Sequence, residues 1–226
     1  MAASQNSANA ASLRERPSAR PVLEPLLFIT LVLIYIWVLQ PTDNDWLRIP
    51  FLVLIAAIPL TSHFWHRDRL PDLGLRLDNL RQSARAVGIA TLIGALAILA
   101  VGTLSGGPHF ASPMLTAFLL YPFWGLVQQY LMQSFTFRRL RQGTGHPGAA
   151  AALTGLLFAS AHWPNWPLAL VTLLGGYVWC RLFDRHPNLL ALALSHGWLA
   201  VLLRYSWPAD WLRNLRIGPG YWEWGL

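Results

Sequence analysis

Apolar residues gather in seven runs, at 22–39, 46–64, 86–104, 115–137, 149–163, 168–183 and 189–203. A helix rises about 1.5 Å per residue and the hydrocarbon core of a bilayer is about 30 Å thick, so runs of this length predict membrane-spanning helices. The last run is somewhat short. Gln40-Pro41 closes the first run, Pro50 and Pro59 lie inside the second, and Trp163-Pro164-Asn165-Trp166-Pro167 forms an interfacial turn between the fifth and sixth. Residues 66–85 mix leucine with charge and predict a short amphipathic helix on the membrane surface. The third run is rich in glycine and alanine, which lets helices approach closely. The expected architecture is all-α, a polytopic transmembrane helical bundle of about seven spans. One membrane domain would occupy residues 22–203, between a polar, disordered cytoplasmic N-terminus at 1–21 and an aromatic-rich interfacial tail at 204–226.

Composition agrees with this pattern. Of the 226 residues 54% are hydrophobic and 12% charged, where a soluble domain carries about 25% charged residues. The formal charge is +7 and every basic residue is an arginine. In a soluble protein such basicity would point to nucleic acid. Here the arginines fall between apolar runs, so they read as topology signals and contacts to anionic membrane lipids, with no nucleic-acid partner. The stretches 14–20, 67–85, 138–141 and 181–185 carry arginines, whereas the loops at 40–45, 105–114 and 163–167 carry none. That alternation puts the N-terminus in the cytoplasm. Arg204, Arg213 and Arg216 in the tail break it and leave the side of the C-terminus open. The single cysteine, Cys180, excludes an intramolecular disulfide and a cysteine-only metal site. The first 21 residues are polar and precede a full-length run, unlike a cleavable signal peptide.

Polar residues inside the runs are few: Gln128, Gln129, Gln133, Ser134, Ser160, His162, Ser195 and His196. Between Asp78 and Asp184 there is no Asp or Glu. Amides at bilayer depth cannot reach water and need partners within the protein. Gln129 and Gln133 are four apart and share a helix face, with Gln128 rotated by about 100°. Polar faces of this kind point into a bundle or a cavity. The plainest reading is interhelical hydrogen bonding, about 0.6–2 kcal/mol per bond. For His162 the corresponding reading is a buried or interfacial histidine bonded to a carbonyl. His63, His66, His109, His146 and His186 are placed in loops and given no role. The tryptophans read mostly as interfacial belt residues, with Trp124 and Trp198 beside the polar face.

The spacing of these residues resembles one family. Phe158-Ala-Ser-Ala-His162 is similar to the Phe-x-x-x-His motif of the CPBP family of intramembrane proteases, also called CAAX-protease or Abi. His196, in Ala-Leu-Ser-His-Gly-Trp-Leu-Ala, resembles the start of its His-x-x-x-Asn/Asp motif, and Gln128-Gln129-Tyr-Leu-Met-Gln133 stands where that family has Glu-Glu-x-x-x-Arg. Leu-Gly-Leu at 73–75 is also similar, so the likeness covers roughly residues 70–203. It implies that the first Glu and first His activate a water against a peptide carbonyl, while the second His and the Asn/Asp stabilise the oxyanion. By position, Gln128 holds the base site, Gln129 the paired site, Gln133 the arginine site, His162 the water-binding histidine, and His196 with Ala200 the oxyanion pair. Gln128, Gln129, Gln133 and Ala200 depart from the family pattern. An amide cannot take a proton from water near neutral pH, and Ala200 has no side-chain donor. The changes agree electrostatically, because two acids and an arginine have together become neutral amides.

Three readings follow. The first is a CPBP-type intramembrane endopeptidase, with activity reduced or lost. The second is a non-catalytic homologue that binds a transmembrane or lipidated peptide partner. The third is a bis-histidine haem or metal protein using His162 and His196, ranked last because two histidines rarely hold zinc. The first two need no cofactor and no metal. All three are integral membrane proteins, and the resemblance suggests a bacterial inner membrane. A cysteine introduced at position 76 on a Cys180-free background is expected to be labelled from the cytoplasmic side only; labelling from the other face would overturn the predicted orientation.

Overall fold

The computed structural model describes residues 20–108 and 111–223. The predicted disorder at 1–21 therefore lies almost wholly outside the described residues, as does His109. All seven apolar runs are helical. Helix α1 (Arg20–Ile34) continues through a π-helical stretch (Tyr35–Leu39) and a 3-10 turn (Gln40–Thr42) at the expected Gln-Pro stop. Helix α2 (Asp45–Trp65) is capped by Asn44, whose side chain accepts from Trp46 N. After α3 (Leu80–Leu104) comes α4 (Pro113–Gln129), which runs without a break through a π-helical stretch (Tyr130–Phe137) into α5 (Arg138–Thr144). Helices α6 (Pro147–Ser160), α7 (Trp166–Arg185) and α8 (Leu189–Ser206) complete the bundle, followed by one short turn of helix, α9 (Ala209–Leu212). Asn165 and Asn188 cap α7 and α8, accepting from Leu168 N and Ala191 N.

Five helical segments are long and apolar enough to cross a membrane by length and composition: Arg20–Thr42, Asp45–Trp65, Leu80–Leu104, Trp166–Arg185 and Leu189–Ser206. The fourth predicted run is divided by its π stretch, and α6 is a shorter apolar helix. Large apolar side chains such as Leu23, Ile49, Leu92, Leu119, Phe123 and Leu156 are exposed on the outside of the bundle. That is the surface of a protein whose solvent is lipid.

Helix α8 is the axis, with 56% of its apolar window buried against 17% for α1 and α3. It packs chiefly on α4 and α3, while α6 packs on α7. The α4–α8 approach depends on Gly125 and Gly197. A Cβ at Gly197 would stand 2.6 Å from Pro122 N, and one at Gly125 would stand 2.8 Å from Ala193 O. No side chain fits there, so these two backbones touch.

The predicted amphipathic helix at 66–85 is corrected. The segment forms a 3-10 turn (Leu70–Leu73), a left-handed Gly74 at φ 78°, and a bend leading to α3. Pro71 and Gly74 interrupt a helix there, and the turn is held from the bundle. Ser134 Oγ donates to Leu73 O at 2.6 Å, and Leu189 N donates to Gly74 O at 2.9 Å.

The roles given to His63, Arg138 and Arg139 also change. His63 lies within α2 and is buried, and Arg139 is fully buried rather than a free topology charge. Asp68 accepts from His63 Nδ1 at 2.7 Å, from Arg138 Nη2 at 2.7 Å, and from Arg139. Arg139 also donates to Ser62 Oγ at 2.6 Å and Gln142 Oε1 at 3.0 Å, and its Nε lies 3.3 Å from Glu24 Oε2. Glu24 in turn pairs with His66 at 2.8 Å. This cluster ties α1 and α2 to α5, opposite the glycine contact along the α4–α5 rod. Its charges persist in a dry setting because each has partners.

The C-terminal segment is likewise more than an interfacial tail. It folds back as a strap: Asn165 Nδ2 donates to Leu212 O at 2.6 Å and to Arg216 O at 3.1 Å, and Gly218 N donates to Trp163 O. Leu212 is buried against Ile98, Leu168 and Leu203.

Burial alone would raise the Asp68 carboxyl, but hydrogen bonds from His63, Arg139 and Arg138 outweigh it and hold the pKa well below the usual carboxylate range. A folded-state pKa below the unfolded value stabilises the fold fully above pH of about 4 and loses that contribution as pH falls below it. Detergent-solubilised wild type is therefore expected to unfold at progressively lower temperature below pH of about 4. Asp68→Asn should be less stable at pH 7 and lose less between pH 5 and pH 3. Equal pH dependence in the two proteins would overturn this assignment.

Candidate functional site

The polar residues of α4 meet those of α8 at the point of closest helix approach. Gln129 and Gln133 are both fully buried. Gln133 Nε2 donates to Gln129 Oε1 at 3.1 Å, and Gln129 Nε2 donates to His196 Nδ1 at 3.1 Å. The i to i+4 spacing read from the sequence makes the first of these bonds within the wide π turn. Such turns recur at functional sites. Because His196 Nδ1 accepts, its Nε2 carries the proton. The ring stacks on Trp179 with centroids 4.7 Å apart and an interplanar angle of 19°.

His162 has the opposite tautomer. Its Nδ1 lies 2.7 Å from Phe158 O, a carbonyl that can only accept, so Nδ1 carries the proton and Nε2 keeps its lone pair. Phe158 stands between the two imidazoles, edge-on to each, at centroid distances of 4.7 Å from His162 and 5.8 Å from His196. Helix α6 ends at Ser160, which sets His162 on the turn that follows.

A cavity of about 650 Å³ opens beside this pair, between α3, α4, α7 and α8. Gln128, His162, His196 and Ala200 all line it, together with Trp124 and Trp179. Trp207, Leu215 and Ile217 of the strap region also line it. The structure thus brings Gln128, His162, His196 and Ala200, which span more than seventy sequence positions, onto one wall. Gln129 and Gln133 stand behind that wall, where they orient His196 instead of facing the cavity. Phe158 packs between the histidines. Trp198, expected beside the polar face, is not among the lining residues, whereas Trp124 is.

Sequence reasoning missed Trp179 and the support behind it. Trp179 Nε1 donates to Ser195 Oγ at 3.1 Å, and Thr91 Oγ1 bonds the same oxygen at 2.7 Å. Ser195 was legible as an intramembrane hydroxyl, but a tryptophan in an apolar run looks like any belt residue. Among the described residues no group of three or more His, Cys, Asp or Glu is placed to hold a metal ion. The histidine pair offers two nitrogen ligands, fewer than zinc sites use.

Residues 110–202 match the protein family described as Rce1-like, type II CAAX prenyl endopeptidase Rce1-like. The match spans α4 to α8 and so includes every residue of the polar wall. Over that stretch the chain is similar to the CPBP, or CAAX-protease, family. No curated protein and no solved structure matches it. The matched stretch carries the motif positions on α4, at the end of α6 and on α8, and the all-helical membrane bundle is consistent with the CAAX-protease type.

Replacing Gln129 by leucine would keep the volume but leave Gln133 Nε2 and His196 Nδ1 without a partner, a loss of about 1–3 kcal/mol. Gln128 makes no protein hydrogen bond among the described residues, so Gln128→Leu should cost little. Thermal unfolding in detergent is expected to show a clearly lower midpoint for Gln129→Leu than for Gln128→Leu; the reverse order would contradict the supporting role given to Gln129.

Proposed function

We propose that this protein is a non-catalytic CPBP homologue that holds a membrane-embedded segment or lipidated tail of a partner in the cavity beside His162 and His196. One observation carries the reading: the wall that would activate water presents Gln128, His162, His196 and Ala200, and no carboxylate lines the cavity among the described residues. The family's reaction needs a base to deprotonate water and a donor pair to receive the oxyanion. Gln128 supplies no base and Ala200 no donor. Glu24 and Asp68 are committed to Arg139 and its neighbours. What remains is an apolar chamber with an uncharged polar wall, suited to binding.

A second reading has one observation in its favour. The bond from His162 Nδ1 to Phe158 O leaves Nε2 free to accept a proton on the cavity wall. Slow, carboxylate-free hydrolysis with His162 as base would use that lone pair. In either case we expect the protein in a bacterial inner membrane with its N-terminus in the cytoplasm.

Restoring the family residues distinguishes these readings. Gln128→Glu with Gln129→Glu would place two adjacent acids in a dry site with no arginine, so repulsion and desolvation would keep at least one protonated. Adding Gln133→Arg supplies the counter-charge, and Ala200→Asn returns an oxyanion donor, worth about 10²–10³ in rate in other hydrolases. The four-fold variant is expected to cleave a co-expressed membrane peptide detectably faster than wild type, and the double-Glu variant is not. Wild-type cleavage equal to that of the four-fold variant, and abolished by His162→Ala, would establish the second reading instead.

A further inference from the structure

We infer that the cavity selects an uncharged head group that both donates and accepts hydrogen bonds, a hydroxyl or primary amide carried on a single apolar chain. The inference rests on the reading of this cavity as a binding site and names the chemistry of its occupant.

Three features of the wall lead to it. The first is polarity. Most of the lining is aliphatic, including Ile93, Val101, Leu174, Val178, Leu199 and Leu203, and its polar side chains are few: Gln128, His162, His196, Tyr121 and Thr172, the last already bonded to Leu168 O. An apolar chain with a small polar end matches that composition, and about 650 Å³ falls within the range of small-ligand sites. The second is neutrality. Among the described residues no Asp, Glu or Arg lines the cavity. A carboxylate or an ammonium would enter without a counter-ion, in surroundings where an unpaired charge is costly.

The third feature is the pair of fixed tautomers. Gln133 occupies Gln129 Oε1, so Gln129 presents its amide hydrogens to His196 Nδ1, and His196 offers an Nε2–H donor. Phe158 O takes the His162 Nδ1 proton, so His162 offers an Nε2 acceptor. The wall therefore provides one imidazole donor and one imidazole acceptor, with the Gln128 amide able to serve as either. A hydroxyl carries the complement of both rings, a proton for His162 and a lone pair for His196. A primary amide does the same through its two ends. An ether or a carboxylate only accepts and leaves His162 unmatched, whereas an ammonium only donates and leaves His196 unmatched. An unmatched buried group loses more than the bond itself contributes.

The test is competition against radiolabelled hexadecan-1-ol on the full-length protein in nanodiscs. Hexadecan-1-ol is expected to bind saturably, and hexadecanamide to compete with similar strength. The methyl ether of the alcohol, palmitate and hexadecylammonium should each compete roughly fivefold to tenfold more weakly or worse. His162→Phe should erase the preference for alcohol over ether. Gln128→Glu should improve hexadecylammonium relative to the alcohol, because it supplies the missing counter-charge. Because the wild-type series alone measures the preference, a variant that fails to fold does not remove the test. Absence of saturable alcohol binding, or competition by palmitate or hexadecylammonium equal to that of the alcohol, overturns the inference. A partner segment that crosslinks into the cavity and is not displaced by the alcohol also overturns it while leaving the binding reading intact. Peptide cleavage by wild type would refute that reading without altering the alcohol preference.

Discussion

The hydrogen bond from Gln129 to His196 is the interaction on which the interior depends. Both residues are buried far from water, and each is the other's polar partner. The bond forms only because α4 and α8 approach closely enough for Gly125 and Gly197 to lie against the opposing backbone. Apolar surface does little to hold helices together in lipid, so close packing and buried polar contacts must do so. In this protein both occur at one crossing, and the cavity opens beside it.

The rod formed by α4, its π stretch and α5 separates two kinds of polar chemistry. Midway along it are neutral amides, bonded to one another and to a histidine. At its end is a charged cluster in which Arg139 and Asp68 gather Glu24, Ser62, His63, Arg138 and Gln142. Charge resides where several partners surround it and is absent from the cavity wall. This separation makes the Gln-Gln-x-x-x-Gln pattern intelligible as a unit: with no acid at 128 or 129, an arginine at 133 would have had no local partner. Gln133 instead continues the amide line toward His196.

The cavity is enclosed by parts of different character. Helices α3, α4, α7 and α8 line it, His162 enters from the turn after the short α6, and Trp207, Leu215 and Ile217 of the strap complete the lining. Asn165 holds that strap through two backbone carbonyls, which makes the Trp163–Pro167 turn a clasp as well as an interface marker.

Much of this was already determined by the sequence. Seven apolar runs gave seven helical segments, five of them long and apolar enough to cross a bilayer, because lipid leaves the backbone no alternative to internal hydrogen bonding. The intramembrane Gln and His residues were visible because polar groups at that depth are few, and their spacing resembled one family whose match covers residues 110–202. What the sequence could not settle was partnership. Gln128 and Gln129 are neighbours in the chain, yet one faces the cavity and the other braces His196, a division decided by how α4 meets α8. Arg139 looked like a topology charge until the fold placed Asp68 and Glu24 around it, from 71 and 115 positions away in the chain. The 66–85 segment has the periodicity of a surface helix, but Gly74 and contacts from Ser134 and Leu189 hold it as a turn. Local pattern fixes elements through short-range sterics and solvent, whereas polar pairing between distant residues exists only once the helices are packed.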